Sequence, residues 1–189
     1  EWTNENLFYG IYDRLNSIYQ NTPMAAQSPP NEAEIALLEP HRDNLPAGLF
    51  EGVMTQPATD GSGNIRESLR TATRLLEDAG WTVEDGELRN QAGERLELEF
   101  LLISPSFERI IAPMVTNLER LGIAARIRIV DSAQYANRLQ SFDFDITTIA
   151  FGTPMTPGIG ERNFWGSAAA AAEGSINYGG IADPVIDDL

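Results

Sequence analysis

Between Leu96 and Gly152 the period of the apolar positions switches back and forth between two and about 3.6, and each switch marks an element. Leu96, Leu98 and Phe100 alternate with Glu97 and Glu99, and from Leu101 to Ile103 both faces are apolar, as in a buried parallel strand. Ser104 and Pro105 read as N-cap and first helical residue. The helix that follows predicts an inner face of Phe107, Ile110, Ile111, Met114, Val115, Leu118 and Leu121, ended by Gly122. Pro113 inside it predicts a kink or a loosened first turn. The next strand, Ala124–Val130, puts Ile127 and Ile129 on one face and Arg126 and Arg128 on the other. Beside Leu96–Ile103 it would set Glu97 and Glu99 against the two arginines. A short helix, Ser132–Gln140, uses Tyr135, Ala136 and Leu139 inward, and a third strand, Ile146–Ala150, enters the Gly/Pro loop 151–160. Right-handed crossovers then predict an α/β core, a mainly parallel sheet with a helix on each side.

Upstream, Ile65, Leu69, Ala72, Leu76 and Ala79 form one helical stripe. Asn64 and Glu67 have capping-box spacing, and Gly80 stands where a C′ glycine belongs. Glu84-Asp85-Gly86 signals a hairpin, and Asn90–Gly93 a second turn. The first 63 residues are loop-rich, with short helices expected over Asn4–Arg14 and Glu32–Leu38, the latter stopped by Pro40. A segment this irregular is expected to pack as an arm, which divides the chain into an arm, 1–63, and an α/β lobe, 64–189. The chain starts at Glu1-Trp2 and stops at Asp188-Leu189 without cap or turn, so it is expected to be one domain cut from a longer protein.

The charge is lopsided, 13 Lys+Arg against 28 Asp+Glu for a net of −15, which argues against nucleic acid and anionic membrane surfaces as partners. No cysteine is present, and no apolar run approaches the roughly 20 residues of a membrane helix. His41, the only histidine, lies in a loop between Pro40 and Arg42 and reads as a surface side chain. No metal-ligand spacing occurs, and Asp60-Gly61-Ser62-Gly63 reads as a flexible turn rather than a phosphate loop. Asp143 and Asp145 share a strand face at i, i+2 and are the only candidate pair for a hydrolase, although charges at a strand entry are ordinary. No catalytic residue, metal or cofactor is assigned.

Binding signals gather where strands end. Ser104, Ser106 and Phe107 sit at a helix N-terminus, a place that favours a carboxylate. Phe151, Gly152, Thr153, Met155 and Thr156 follow the third strand, and Arg162, Phe164, Trp165, Asn177 and Tyr178 come soon after. Aromatic rings with a few polar groups around a concave edge suit a small-molecule or peptide ligand.

LLEDAGW (75–81), LEFLLISPSFERIIAPMVTNLERLGI (98–123) and VDSAQYANRLQSFDFDI (130–146) resemble the extracellular solute-binding proteins of peptide-type ABC importers, the oligopeptide/dipeptide-binding family. WTNENLFYG (2–10) and FWGSAAA (164–170) resemble its Yej-type branch, linked to microcin C and other peptides. The resemblance implies the second lobe of a type II periplasmic-binding protein, three layers α-β-α, with the strand after the second helix placed beyond the first. It implies a periplasmic location, a peptide or modified-peptide ligand, and the remaining lobe and ABC permease subunits as partners. It also implies hinge closure rather than chemistry, with no membrane insertion. Related proteins often carry Trp where Phe151 stands and an Asp soon after it for the ligand's amino group. Here Gly152-Thr153-Pro154-Met155 has no acid, and the first is Glu161. The expectation is a modified peptide, or an amine held by the other lobe. The alternatives are a hydrolase using Asp143 or Asp145, and a non-catalytic interaction module docking through its acidic face.

Overall fold

The computed structural model describes residues 1–26, 28–52, 56–152 and 156–189. In chain order it contains α1 (Trp2–Leu7), α2 (Glu32–Leu38), α3 (Ala47–Glu51) and α4 (Arg66–Asp78), then the strands β1 (Thr82–Glu84) and β2 (Glu87–Arg89). There follow β3 (Glu97–Leu102), α5 (Glu108–Glu119), β4 (Ala124–Ile129), α6 (Ser132–Gln140) and β5 (Ile146–Thr147). The last elements are α7 (Arg162–Trp165), α8 (Ser167–Ala170) and α9 (Pro184–Asp188). They belong to two compact units, Glu1–Ile11 with Thr59–Ile149, and Tyr12–Ala58 with Ala150–Leu189. The first 63 residues are therefore shared between the units.

The first unit is built on a parallel sheet of order β4-β3-β5. Phe100, Leu101 and Leu102 of the central strand are essentially inaccessible, each contributing roughly 1.5–3 kcal/mol by burial. The chain moves from β3 to β4 in one direction and from β4 across to β5 in the other. Right-handed crossovers then place α5 and α6 on opposite faces of the sheet. α6 covers the Glu99 face, since Arg138 reaches Glu99 and Tyr135 reaches Thr147.

Adjacent strands bring the predicted charges together only in part. Glu99 pairs in register with Arg126 and accepts its Nε–H at 3.0 Å. Glu97 reaches the same arginine at 4.0 Å, whereas Arg128 stands opposite Leu101. β5 is shorter than the predicted strand. Thr147 Oγ1 donates to the Leu101 carbonyl, and the Tyr135 hydroxyl donates to the Thr148 carbonyl, so a side chain takes the acceptor that a longer ladder would use. The inner faces are also narrower than expected. Phe107 and Met114 are 41% and 48% exposed, and Ala136 is exposed, because only part of each helix stripe meets the sheet. The loosened first turn is present: Pro105–Phe107 forms a 3-10 turn before α5, and Pro113 lies inside that helix.

α4 ends as its glycine predicts. Trp81 N–H donates to Leu76 O and Gly80 N–H to Glu77 O, with Gly80 at φ +86°, a Schellman motif. Its start differs: Ile65 is the N-cap and no side chain caps it, the nearest being Asn64 Oδ1 at 3.5 Å from Arg66 N. The capping box forms instead at Asn31 and Glu34 of α2. The β1–β2 hairpin turns through Asp85 and Gly86, both at positive φ, as a type I′ turn requires. Helix α1 stops earlier than expected because Tyr9 and Gly10 both take positive φ. Glu1 accepts hydrogen bonds from the Thr59 amide and hydroxyl, which ties the start of the chain to the approach to α4.

The second unit is a set of short helices and turns. α2 runs into a 3-10 turn, Glu39–Asn44, in which Arg42 grips Glu39 through two nitrogens and lies 3.9 Å over the Phe50 ring. His41 Nε2 lies 3.1 Å from Asp188 Oδ2 of α9 and joins the two halves of this unit. Gly52 packs against Pro29 so closely that a Cβ there would come within 2.8 Å of its Cα. Among the described residues no helix is long and apolar enough to cross a membrane.

Candidate functional site

In the first unit the carboxyl ends of the parallel strands carry two side-chain caps. Ser104, extended in backbone, accepts the Ser106 N–H at 3.2 Å. Asp131 accepts from Ala133 N and Gln134 N, both at 2.9 Å, and starts α6. Ser104 thus satisfies part of the helix start from within the chain, and Ser106 and Phe107 beside it are exposed.

The aromatic residues lie in the second unit. Phe151, 51% exposed, meets Phe164 edge to face with ring centres 5.4 Å apart and stacks on Tyr178 at 6.3 Å. Phe164 lies 6.1 Å from Trp165, extending the set to a fourth ring. Trp165 donates its indole N–H to Glu161 Oε2 at 3.0 Å. These two residues are one helical turn apart, a spacing that puts side chains on one face and makes Glu161 readable as part of the site. Phe164, which holds Phe151 in place, also enters the set by contact.

Glu161, Arg162 and Trp165 line an open cavity of about 870 Å³ with Ile159, Ala168 and Ile186. Arg162 is exposed. Asp187, also on the lining, is held below the usual carboxylate range by hydrogen bonds from Ser167 and, less, by the charge of Arg162. The Tyr19 hydroxyl is shielded from solvent and closes no hydrogen bond of good geometry. The pull of the Glu161 carboxylate on its proton, followed by burial, pushes the phenol up to about 12.

Asn177 has a different role from the one its position suggests. It is 1% exposed, its amide donates to Gly166 O and Ile181 O, and its oxygen accepts from Ile181 N. Both of its amide donors and its oxygen are engaged in holding residues 166–181, and the side chain is buried, which withdraws it from the candidate contacts. Gly152 and Thr156 are exposed, while Thr153 and Met155 lie outside the described residues. Of the predicted positions, Phe151, Trp165, Arg162 and Tyr178 thus share one unit, and Ser104, Ser106 and Phe107 belong to the other.

The paired aspartates are taken up by the frame. Asp143 bonds Arg138 at 2.9 Å, and Asp145 accepts the Glu99 backbone N–H at 2.8 Å. Among the described residues no group of three or more His, Cys, Asp or Glu is placed to hold a metal ion.

Residues 1–172 match the bacterial extracellular solute-binding proteins, family 5 middle, and the chain belongs to that family. It is 38% identical over its whole length to the probable peptide-binding protein YejA of Agrobacterium fabrum, and 36% identical to that organism's peptidoglycan-binding protein YepA. It covers 31% of each, so the chain spans about a third of the length of these relatives. The fold is that of a type II periplasmic-binding lobe. The oligopeptide-binding protein AppA of Bacillus subtilis, in complex with a nonapeptide, superposes with a TM-score of 0.55 at 20% identity, over 62% of this chain and 24% of that one. A mannohexaose-bound oligopeptide-binding protein of Thermotoga maritima superposes at 0.54 and 21% identity, over 63% of this chain and 24% of that one.

Proposed function

We propose that this chain is a ligand-binding portion of a periplasmic receptor that captures peptides or peptide-like solutes and delivers them to an ABC permease. The observation that carries the reading is the half-exposed Phe151 ring, backed by Phe164 and Tyr178 in a chain of solute-binding family 5. Aromatic rings fixed by one another offer apolar surface at little entropic cost, which suits a ligand bound largely by backbone and packing contacts. The names of the relatives, one peptide-binding and one peptidoglycan-binding, support a peptide or modified peptide. In sequence Gly152, Thr153, Met155, Thr156, Arg162, Trp165 and Tyr178 follow Phe151, and in the other unit Ser104, Ser106 and Phe107 are proposed separately as contacts at the sheet edge.

The work is binding and closure, not chemistry. Asp143 and Asp145, the pair that a hydrolase would use, are engaged by Arg138 and by the Glu99 amide. The complete protein supplies the other lobe, and ligand shifts its population toward the closed state. Mass spectrometry of solutes released from the purified full-length polypeptide tests the reading. Peptides or peptide conjugates are expected in the wild type, and their absence, with another solute class in their place, overturns it.

A further inference from the structure

The second unit holds nearly half of the chain, yet Val185 is the one apolar side chain buried in it among the described residues. The first unit buries five, Leu88, Phe100, Leu101, Leu102 and Ile123. A folded unit of this size ordinarily encloses a core of its own, because apolar burial is what offsets the entropy of ordering the chain. Here α2 instead turns Leu37 and Leu38 to an open cavity of about 820 Å³, walled also by Pro30 and Leu49. Tyr12, Leu15, Ile18 and Met24, from the segment that gives Arg14 and Asn16 to that wall, are each half exposed or more. The polar side chains of the wall are already engaged. Ser28 Oγ donates to Gly52 O at 2.9 Å, Gln56 Nε2 to Leu15 O at 3.1 Å, and Arg14 to the Pro57 carbonyl. Glu34 accepts the Asn31 N–H at 2.7 Å in the capping box of α2.

We propose that this cavity seats an apolar segment of the same polypeptide, from the part that the relatives carry outside the region matched here, and that the segment completes the core of the second unit. The chain spans about a third of the length of those relatives, which leaves the larger part of such a polypeptide to supply it. A tethered segment meets the cavity at an effective concentration of roughly millimolar, which a free second copy does not reach. The chemistry of the wall fits the same occupant. A polar solute is oriented by a few well-placed polar groups, and here those groups are spent on the rim, whereas an apolar segment needs only the aliphatic surface. Exposed apolar surface gathered in one place is also the usual mark of an interface. The inference does not depend on which solute the receptor carries.

Maleimide labelling of the full-length protein tests this, with Leu37→Cys as the probe and Leu75→Cys as the control. The two leucines are equally open in this chain, 65% and 64% exposed, and Leu75, on α4, lies outside the cavity wall. The 189 residues contain no other thiol. Labelling of Leu37→Cys is expected to be at least about tenfold slower than that of Leu75→Cys, at every protein concentration and equally after bound solutes have been removed by dialysis from denaturant. Circular dichroism melts check that both variants fold, and hydroxyl-radical footprinting of the wild type reads the same two leucines without a substitution. Equal rates at the two positions overturn the proposal. Slow labelling that recovers on dilution also overturns it and assigns the cavity to a second copy. Slow labelling seen only before solutes are removed overturns it in favour of a ligand.

Discussion

Arg138, in the last turn of α6, places Nη2 2.7 Å from Oε1 of Glu99, a residue on the central strand that is only 8% exposed. Arg126 takes the other carboxylate oxygen at 3.0 Å. One buried acid thus joins a helix, the central strand and an edge strand. Burial alone would raise its pKa, but hydrogen bonds from Arg138 and then Arg126 outweigh burial and hold the carboxyl below its usual range. A lowered carboxylate contributes stability above its unfolded pKa, about 4.3, and loses it as pH falls through the folded value. Urea melts should show the wild type losing more stability than Glu99→Gln between about pH 5 and pH 3. At neutral pH, Arg138→Ala should cost about 3 kcal/mol, at the low end for a broken buried pair because Arg126 remains. Identical acid profiles for wild type and Glu99→Gln would refute the linkage.

Gly122 should be far less replaceable than Gly93. Both take left-handed φ, +81° and +79°. A Cβ on Gly122 would stand 2.9 Å from Leu88 N, whose N–H donates to Gly122 O, whereas a Cβ on Gly93 meets nothing within 4 Å. Gly93→Ala should therefore cost only the left-handed penalty, about 1 kcal/mol. Gly122→Ala must also push the β2 backbone away, which puts its cost above about 2 kcal/mol and its melting temperature roughly 4–8 °C down. Differential scanning calorimetry of the two variants separates the effects.

Alkaline pH should single out Tyr19. Glu161 and burial push its phenol up to about 12. A group raised in the fold contributes stability that is complete below the unfolded pKa, about 10 for tyrosine, and is lost as pH rises through the folded value. Ultraviolet titration should therefore show one tyrosine ionising late, and Tyr19→Phe should remove that step together with part of the stability loss between about pH 10 and 12. A titration unchanged by Tyr19→Phe would count against the assignment.

Local chemistry made much of the fold readable, and long-range contacts account for the rest. Asp85-Gly86, Gly80 and the bounds of α6 follow from turn and cap residues whose effect is confined to a few positions. Asn64 fits the same local rule, yet the helix begins after Ile65, so a motif of two residues does not by itself locate a helix start. The Glu99–Arg138 bond spans 39 residues and no periodicity announces it. The shortness of β5 likewise depends on a Tyr135 hydroxyl arriving from another element. At the candidate site, aromatic content led to Phe151, Trp165 and Tyr178 but did not separate the exposed Phe151 from the buried Asn177, because that distinction rests on what residues 166–181 bond to.

Asn177 and Phe151 should fail in opposite ways, and the contrast tests the site. Asn177→Ala strands the Gly166 and Ile181 backbone groups, at about 1–3 kcal/mol for each polar group left unsatisfied. Hydrogen exchange over residues 166–181 should accelerate in that variant. Phe151→Ala removes a half-exposed ring whose neighbours Phe164 and Tyr178 stay behind, so its stability cost should be about 1 kcal/mol. If the proposed site holds, solute recovered from the full-length Phe151→Ala protein should nonetheless drop several-fold, because that proposal offers the half-exposed ring to ligand. Normal solute content in Phe151→Ala, measured by mass spectrometry on protein that still melts cooperatively, would remove the aromatic set from the site.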